Sequence, residues 1–195
     1  MLSAGFRHHD FEQIDPIRRR DFSDTIRFVS RAKFLFASAI FERENGSHPL
    51  KDSALIEIMI ILSDLLCKCE KYAVRIDDKH DIFMSVENKK LDMDLTDLVR
   101  SIRNALCHIG SPEKYYSKSV QSILIGTLYG KGVLAITPIE KFEAEYSDDV
   151  AFFVGAYRIY LKRHMVFMLN RAEQLLFPII LQEHKYFADN IKNPV

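Results

Sequence analysis

The sequence predicts an all-α fold: an antiparallel bundle of helices with one small β-hairpin inserted before a long C-terminal helix. Several long segments carry apolar residues at the three- and four-residue spacing of an amphipathic helix. Residues 119–139 instead place β-branched residues around a glycine-rich turn, which is typical of a hairpin. The chain has 195 residues, of which 48% are hydrophobic. We therefore expect a single domain over residues 1–195, with its core at about 20–177.

Two long helices are predicted at the start of the chain. Ser23 and Asp24 suit the start of the first, because a hydroxyl cap followed by an acid favours the positive end of the helix dipole. Asn45-Gly46 is predicted to end it, and Pro49 to open the second helix. The short connection predicts an antiparallel hairpin. The second helix is apolar nearly all round and is therefore expected to be central; its stripe is Leu55, Ile58, Met59, Leu62, Leu65, Leu66, Cys69 and Tyr72, extended by Ile56, Ile60 and Ile61.

Two carboxylates on the second helix need partners. Glu57 and Asp64 lie about two turns apart and therefore on one face. A carboxylate on a buried helix requires a partner. Either a lysine or arginine of a neighbouring helix pairs with them, or one of them lies near Arg103.

A third helix and the hairpin follow. The helix is predicted over residues 92–109 and ends at Gly110, just before Pro112. The turn of the hairpin is predicted at Gly130-Lys131-Gly132. Two strands alone are marginally stable, so this hairpin must pack on helices or on a partner.

The C-terminal part is predicted as one long helix. Ser147-Asp148-Asp149 supplies its cap, Pro178 kinks or ends it, and the tail from about residue 183 is expected to be weakly structured. The prediction depends on apolar residues that recur along one face: Val150, Phe153, Val154, Tyr157, Leu161, Met165, Met168, Ala172 and Leu175.

The composition bears on compartment and partners. Lys and Arg together number 27, as do Asp and Glu, so any nucleic-acid binding must use a local patch rather than a global field. Three cysteines, an odd number, argue against a disulfide framework and favour a reducing compartment. No signal peptide is recognisable, and no run approaches the roughly 18 apolar residues of a membrane span. We therefore expect a cytoplasmic protein that has no membrane partner.

The best candidate for chemistry is the segment Arg103-Asn104-Ala105-Leu106-Cys107-His108. Arginine is a permanent cation whose fork fits phosphate oxygens, and histidine can move a proton near neutral pH. In RNA the neighbouring 2′-hydroxyl can be the nucleophile, so these two groups suffice without a metal ion. On an ideal helix Arg103 points about 140° away from His108. Either the long arginine side chain wraps round, or a second chain completes the site.

The spacing alone, an arginine followed four to six residues later by a histidine, is weak evidence. Arg103/His108 differs because it lies at a helix end, with Asn104 on the same face as His108. His164 lies beside the apolar stripe of its helix and is either a satisfied core or groove histidine or part of a functional arginine–histidine pair. The other pairs with this spacing are Arg43/His48, Arg75/His80 and Arg158/His164.

The six residues from Arg103 to His108 resemble the Arg-x(4–6)-His signature of the HEPN superfamily, in which a polar residue, often asparagine, commonly follows the arginine. The order of elements is also similar: a helical hairpin, a helix that ends in the motif, and another long helix. With the hairpin before it, the segment 146–164 is similar to a bacterial HEPN subfamily found on plasmids and in defence contexts. The resemblance covers most of residues 20–177. Gly110 stands where nucleotidylated HEPN toxins carry a tyrosine, so that mode of control is not expected.

The resemblance implies a helical bundle that forms a homodimer with both motifs facing one groove. Many members are metal-independent endoribonucleases that act as toxins or as abortive-infection effectors in phage defence. On that basis Arg103 holds the scissile phosphate, His108 is the general base or acid, and Asn104 orients either group. The implied partners are a second copy, an RNA substrate and an antitoxin or regulatory protein. No cofactor and no metal is implied.

Two alternatives stay open. A non-catalytic HEPN module would bind a protein partner or a nucleotide, in line with the neutral net charge and the lack of an obvious basic groove. In a purely structural helical protein, Arg103 and His108 would be surface residues without a function.

Overall fold

The computed structural model describes residues 16–78, 82–83, 90–91, 93–108, 125–135 and 141–192. No helix in these ranges is long and apolar enough to cross a bilayer. The α-helices are α1 (Pro16–Ala37), α2 (Lys51–Tyr72), α3 (Leu95–Cys107) and α4 (Phe167–Lys192); 3₁₀ turns at Ala39–Phe41 and Arg43–Asn45 follow α1, and a π-helical stretch, Leu161–Val166, leads into α4.

Helix α1 begins earlier than predicted. Its first residue is Pro16, whose fixed φ suits the first turn and whose missing N–H has no helical partner there in any case. Ser23, the predicted cap, lies inside the helix. The helix ends at Ala37, because Ser38 turns to extended backbone with φ −75° and ψ 149°. The Ser38 hydroxyl donates to the carbonyl of Leu35 at 2.6 Å.

Helix α2 lies at the centre of the helices, as its nearly continuous apolar surface predicts. It packs against α1, α3 and α4. Helix α1 runs antiparallel to it, because Asp21 near the start of α1 pairs with Lys71 near the end of α2, and Arg31 pairs with Glu57. The residues of its fully or almost fully buried stripe are Leu55, Ile58, Met59, Leu62, Leu65, Leu66 and Cys69.

The prediction of an all-α fold is wrong, because the described residues also form three small antiparallel sheets. The bounds of the strands are β1 Ile82–Phe83, β2 Lys90–Leu91, β3 Ile125–Tyr129, β4 Gly132–Ala135, β5 Lys141–Ala144, β6 Val150–Val154 and β7 Tyr157–Tyr160. Strands β1 and β2 form one sheet, β4 and β5 form another, and the third has the order β3-β6-β7.

The β-hairpin predicted at residues 119–139 is not formed by the residues around its turn. Strands β3 and β4 flank Gly130, but they belong to different sheets, since β3 pairs along its whole length with β6 and β4 pairs with β5. Gly130 has φ +79°, and its N–H bonds to the carbonyl of Asp149 at 2.8 Å. Residues 119–124 and 136–139 lie outside the described residues.

The prediction of a long helix that begins at Val150 is also wrong for its first turns. Residues 150–160 form β6 and β7, joined by a two-residue turn in which Gly155 has φ +55°, a conformation that favours glycine. The sheet is buried on both faces: Phe152 packs into the main helical core, and Phe153 into a second core against β4 and β5. A strand that is buried on both faces lacks the alternation of apolar and polar residues that would identify it.

Helix α4 begins later than predicted and extends further toward the C-terminus. Pro178 lies inside it, and the helix continues to Lys192 through residues that were predicted to be weakly structured. Leu176 and Ile180, on either side of the proline, are 0% and 2% exposed. The burial of these two side chains stabilises the helix at Pro178, where the backbone lacks an N–H and one helical hydrogen bond is missing.

Candidate functional site

The predicted site residues lie at the C-terminal end of α3. Asp94 caps the start of this helix by accepting the backbone N–H of Asp97 at 2.9 Å. Helix α3 runs antiparallel to α2, because Arg75, just past the end of α2, pairs with Asp94, whereas Arg100, further along α3, pairs with Glu70. The apolar side of α3 is fully buried and consists of Leu95, Leu98, Val99, Ile102 and Ala105.

Helix α3 ends at Cys107 rather than at Gly110, which lies outside the described residues. His108 still donates its backbone N–H to the carbonyl of Asn104 at 3.0 Å, but its φ of −111° and ψ of 116° are extended. The direction of the His108 side chain therefore does not follow the rotation of about 100° per residue that holds within a helix.

Arg103, Asn104 and His108 are brought together within one chain. Nη1 of Arg103 donates to Oδ1 of Asn104 at 3.1 Å and lies 3.2 Å from Nε2 of His108. The angular separation expected from an ideal helix does not apply, because His108 is not helical. A second chain is not needed to unite the arginine with the histidine.

The contact between Arg103 and His108 distinguishes between the two tautomers of a neutral imidazole ring. A guanidinium has only donors, so His108 Nε2 must be the acceptor of this hydrogen bond. A ring that accepts at Nε2 is neutral and carries its proton on Nδ1. His108 is exposed, so this ring is accessible to a ligand.

Arg103 is partly buried, yet no carboxylate pairs with it among the described residues. Its partners, an amide oxygen and an imidazole nitrogen, are uncharged. Within the described residues the guanidinium charge is therefore not balanced by a carboxylate, and the arginine fork suits an anion. Each of the other described arginines that is buried or partly buried forms an ion pair with a carboxylate: Arg18, Arg75, Arg100, Arg158 and Arg163.

The pair Arg158/His164 is part of the core. Both residues are 2% exposed. His164 Nδ1 accepts the backbone N–H of Tyr160 at 3.2 Å, and Arg158 donates to the backbone carbonyl of Glu143 and pairs with the carboxylate of Glu145. These contacts support a structural role for His164, which was one of the two interpretations of the sequence.

In the remaining two arginine–histidine pairs, His48 and Arg75 have other partners. Arg43 is exposed, and His48 Nδ1 accepts the backbone N–H of Leu50 at 3.2 Å. Arg75 belongs to the network of ion pairs between α2 and α3, and His80 lies outside the described residues. Direct contact between the two side chains of such a pair is found at Arg103/His108.

Glu57 and Asp64 have basic partners that are not Arg103. Arg31 of α1 donates Nε and Nη2 to the two oxygens of Glu57, at 2.7 and 3.0 Å. This hydrogen bonding lowers the pKa of Glu57 and confirms a partner on a neighbouring helix. Asp64 pairs at 2.6 Å with Lys68, one turn further along α2 itself.

An apolar groove between α1 and α2 was not predicted. It has a volume of about 560 Å³, and Ile56, Ile60 and Ile61 form much of its wall beside Phe28 and Arg27. The signal in the sequence was the apolar surface of α2, which extends beyond the stripe that packs on other helices. Arg103 and His108 do not line this groove.

The thiols differ in accessibility. Cys69 is buried, and desolvation raises its pKa to about 11, so it is an unreactive core residue. Cys67 and Cys107 are exposed, and all three are free. Within the described ranges, no group of three or more His, Cys, Asp and Glu side chains is placed to hold a metal ion.

Comparisons with known proteins yield no match: no family model, no curated protein and no solved structure matches this chain. Its function must therefore be argued from the chemistry of its own residues. The group with the clearest chemistry is Arg103, Asn104 and His108.

Proposed function

We propose that the protein is a HEPN-type endoribonuclease that cleaves RNA through the 2′-hydroxyl without a metal ion. The observation that carries the proposal is the partly buried guanidinium of Arg103, which has no carboxylate partner among the described residues and contacts His108. A cation held in this way is suited to bind phosphate, and a neutral histidine beside it is suited to move a proton.

The arrangement fits the chemistry of RNA transesterification. The 2′-oxygen attacks phosphorus, the bond from phosphorus to the 5′-oxygen breaks, a base takes the 2′ proton, and the 5′-oxygen receives a proton. Arg103 would stabilise the charge on the phosphate oxygens, and His108 would act as general base or acid. Asn104 would orient Arg103, since it accepts a hydrogen bond from Nη1. The products would be a 2′,3′-cyclic phosphate and a 5′-hydroxyl.

The biological setting forms part of the same proposal. The protein would act in the cytoplasm as a toxin or as an abortive-infection effector, under the control of an antitoxin or another regulatory protein. A homodimer would place two copies of the site in one RNA-binding groove. Because Arg103 and His108 meet within one chain, each copy would contribute a complete pair.

Cleavage of an RNA pool by the purified chain in EDTA tests this function. We expect fragments that end in a 2′,3′-cyclic phosphate, and we expect His108→Ala and Arg103→Ala to abolish them. Arg43→Ala and His48→Ala are matched controls, because this exposed pair has similar spacing without direct contact between the side chains. Fragments produced equally by wild type and His108→Ala would remove the assignment.

A second candidate is a non-catalytic HEPN module that binds a protein partner or a nucleotide. The groove between α1 and α2 favours it, since a volume of about 560 Å³ is within the range of ligand pockets. This candidate predicts no cleavage of any RNA and a melting temperature that rises with nucleotide concentration. RNA cleavage that disappears in His108→Ala would count against it.

A further inference from the structure

The contact between Arg103 and His108 occupies atoms that cleavage would use. Nη1 of Arg103 lies 3.2 Å from Nε2 of His108, and a guanidinium can only donate. Nε2 therefore gives its lone pair to Arg103, and the ring proton lies on Nδ1. While this hydrogen bond lasts, Nε2 can neither accept a proton from a 2′-hydroxyl nor carry one to the 5′-oxygen.

We propose that this hydrogen bond is a latch, which a phosphate group opens by drawing the guanidinium of Arg103 toward itself. The inference rests on the proposed function, because it describes how the same site is switched on. The ligand is a phosphodiester or a phosphate ion, since both present anionic oxygens to the arginine fork. Anion binding then frees Nε2 to accept or to carry a proton when the scissile group arrives.

The partners of Arg103 favour opening by an anion. A hydrogen bond between arginine and phosphate is charged on both sides, whereas the imidazole acceptor is neutral. Nε and Nη2 of Arg103 bond to no group in the described part of the chain, so this edge of the fork can take two phosphate oxygens. Asn104 Oδ1, at 3.1 Å from Nη1, keeps the guanidinium beside His108 after the latch has opened.

Protonation of His108 and anion binding are coupled through this latch. A protonated imidazole has only donors, so protonation breaks the same bond that the anion breaks. Each event therefore favours the other, and the coupling is reciprocal. Within the described ranges, Arg103 is the charged group in contact with the ring. On the facing helix α2, Glu70 pairs with Arg100, about one turn before Arg103.

The test is the tautomer of His108, read by nitrogen-15 NMR of the full chain. Comparison with His108→Asn assigns the ring signals. In the wild type without ligand, above the pH at which the ring protonates, we expect the proton on Nδ1. In Arg103→Gln we expect it on Nε2, the tautomer that free histidine prefers in water, with an upfield shift of the Nε2 signal. Arg100→Gln removes the same charge one turn earlier and should keep the wild-type tautomer.

Inorganic phosphate and a short DNA strand, which has no 2′-hydroxyl to react, distinguish the two sources of the anion. Both should shift the wild-type Nε2 signal upfield and leave Arg103→Gln unchanged. A response to DNA alone would identify the polymer phosphodiester as the ligand, and a response to both would show that phosphate suffices. An Nε2 signal that stays unchanged at saturating amounts of both overturns the latch, as does an Arg103→Gln tautomer equal to the wild type.

These outcomes separate the latch from the proposed function. If the tautomer switches but the protein cleaves no RNA, the latch is supported and the proposed endoribonuclease function is contradicted. If cleavage is lost in His108→Ala but the tautomer is the same in wild type and Arg103→Gln, the latch is contradicted and the endoribonuclease function is supported. The anion titration uses the wild-type chain, so the test survives even if Arg103→Gln does not fold.

Discussion

Two polar clusters of this molecule differ in whether an opposite charge among the described residues compensates the central charged group. At the start of the π-helical stretch, the buried carboxylate of Asp149 accepts the backbone N–H groups of Lys162 and Arg163 at 2.9 and 3.0 Å, and Nη1 of Arg163 lies 3.2 Å away. At the end of α3, the partners of Arg103 among the described residues are the neutral side chains of Asn104 and His108.

The difference separates residues that hold the fold from residues that are available to a ligand. Asp149 satisfies backbone donors that a helix start leaves unpaired, and an arginine balances its charge. Arg103 has a charge that no carboxylate balances within the described residues, which does not stabilise the fold and suits an anion. We therefore expect substitutions at Asp149 to cost stability, and substitutions at Arg103 or His108 to cost activity.

The largest expected effect is the loss of RNA cleavage in His108→Ala. Removal of a general acid or base lowers rates by about 10²–10⁴-fold. Because His108 is exposed and lies past the end of α3, the melting temperature should stay near that of the wild type. Cleavage rate and melting temperature measured on the same preparation check both points. A large fall in melting temperature would mean that His108 belongs with the residues that hold the fold.

Asp149→Ala is expected to destabilise the protein by about 2–4 kcal/mol, since it removes a cap and leaves buried backbone N–H groups unsatisfied. The midpoint of urea unfolding measures this change. Asp148→Ala is the matched control, because that side chain is 66% exposed and should leave the midpoint nearly unchanged. Equal midpoints for the two variants would show that Asp149 does not hold the start of the helix.

Tyr72→Phe is expected to cost about 1 kcal/mol at pH 7, the size of one hydrogen bond. The Tyr72 hydroxyl donates to Asp21 and lowers the pKa of that carboxyl below its usual 3.8. Stability from a depressed carboxyl pKa is fully present above the unfolded value and is lost as pH falls through the folded value. Urea unfolding at several pH values should therefore show a wild-type advantage that shrinks below about pH 3.8. An advantage that grows in acid would contradict this assignment.

The smallest expected change in stability is that of Arg103→Met. Replacing a partly buried cation that lacks a carboxylate partner with an apolar side chain should leave stability unchanged or raise it by up to about 1 kcal/mol. RNA cleavage should nevertheless be lost. Differential scanning calorimetry, with Arg100→Met for comparison, checks this prediction. Since Arg100 pairs with Glu70, its replacement should destabilise the protein. If Arg103→Met were instead the less stable of the two variants, Arg103 would belong with the residues that hold the fold.

The helical hairpin could be predicted because its signals are local. The apolar stripe of α2 and the short connection predicted at 45–49 indicate two antiparallel helices, which the pairing of Asp21 with Lys71 and of Arg31 with Glu57 confirms. The observed connection, residues 38–50, is longer than predicted. The limits of α1 could not be predicted as well. Ser23 and Pro16 are both good helix-start residues, and the choice depends on how far packing supports the first turns.

The strands could not be recognised from their pattern. Residues 151–160 are all buried, so the sequence there is apolar apart from Gly155 and Arg158 and does not alternate. Val150, Phe153, Val154 and Tyr157 happen to match helical spacing. Asp149 was predicted to cap a helix that follows it directly. It instead accepts N–H groups of Lys162 and Arg163, because the hairpin of β6 and β7 folds the chain back onto it.

The sequence by itself determined the central helix, its antiparallel neighbour, and the position of Arg103, Asn104 and His108 at the end of an amphipathic segment, since these follow from local periodicity. Tertiary structure alone decided that β3 pairs with β6 across more than twenty residues of chain. It also decided that the Arg103 guanidinium reaches the His108 ring without meeting a carboxylate in the described residues. Strand pairing and charge compensation depend on residues far apart in sequence, whereas a helix face depends only on neighbours.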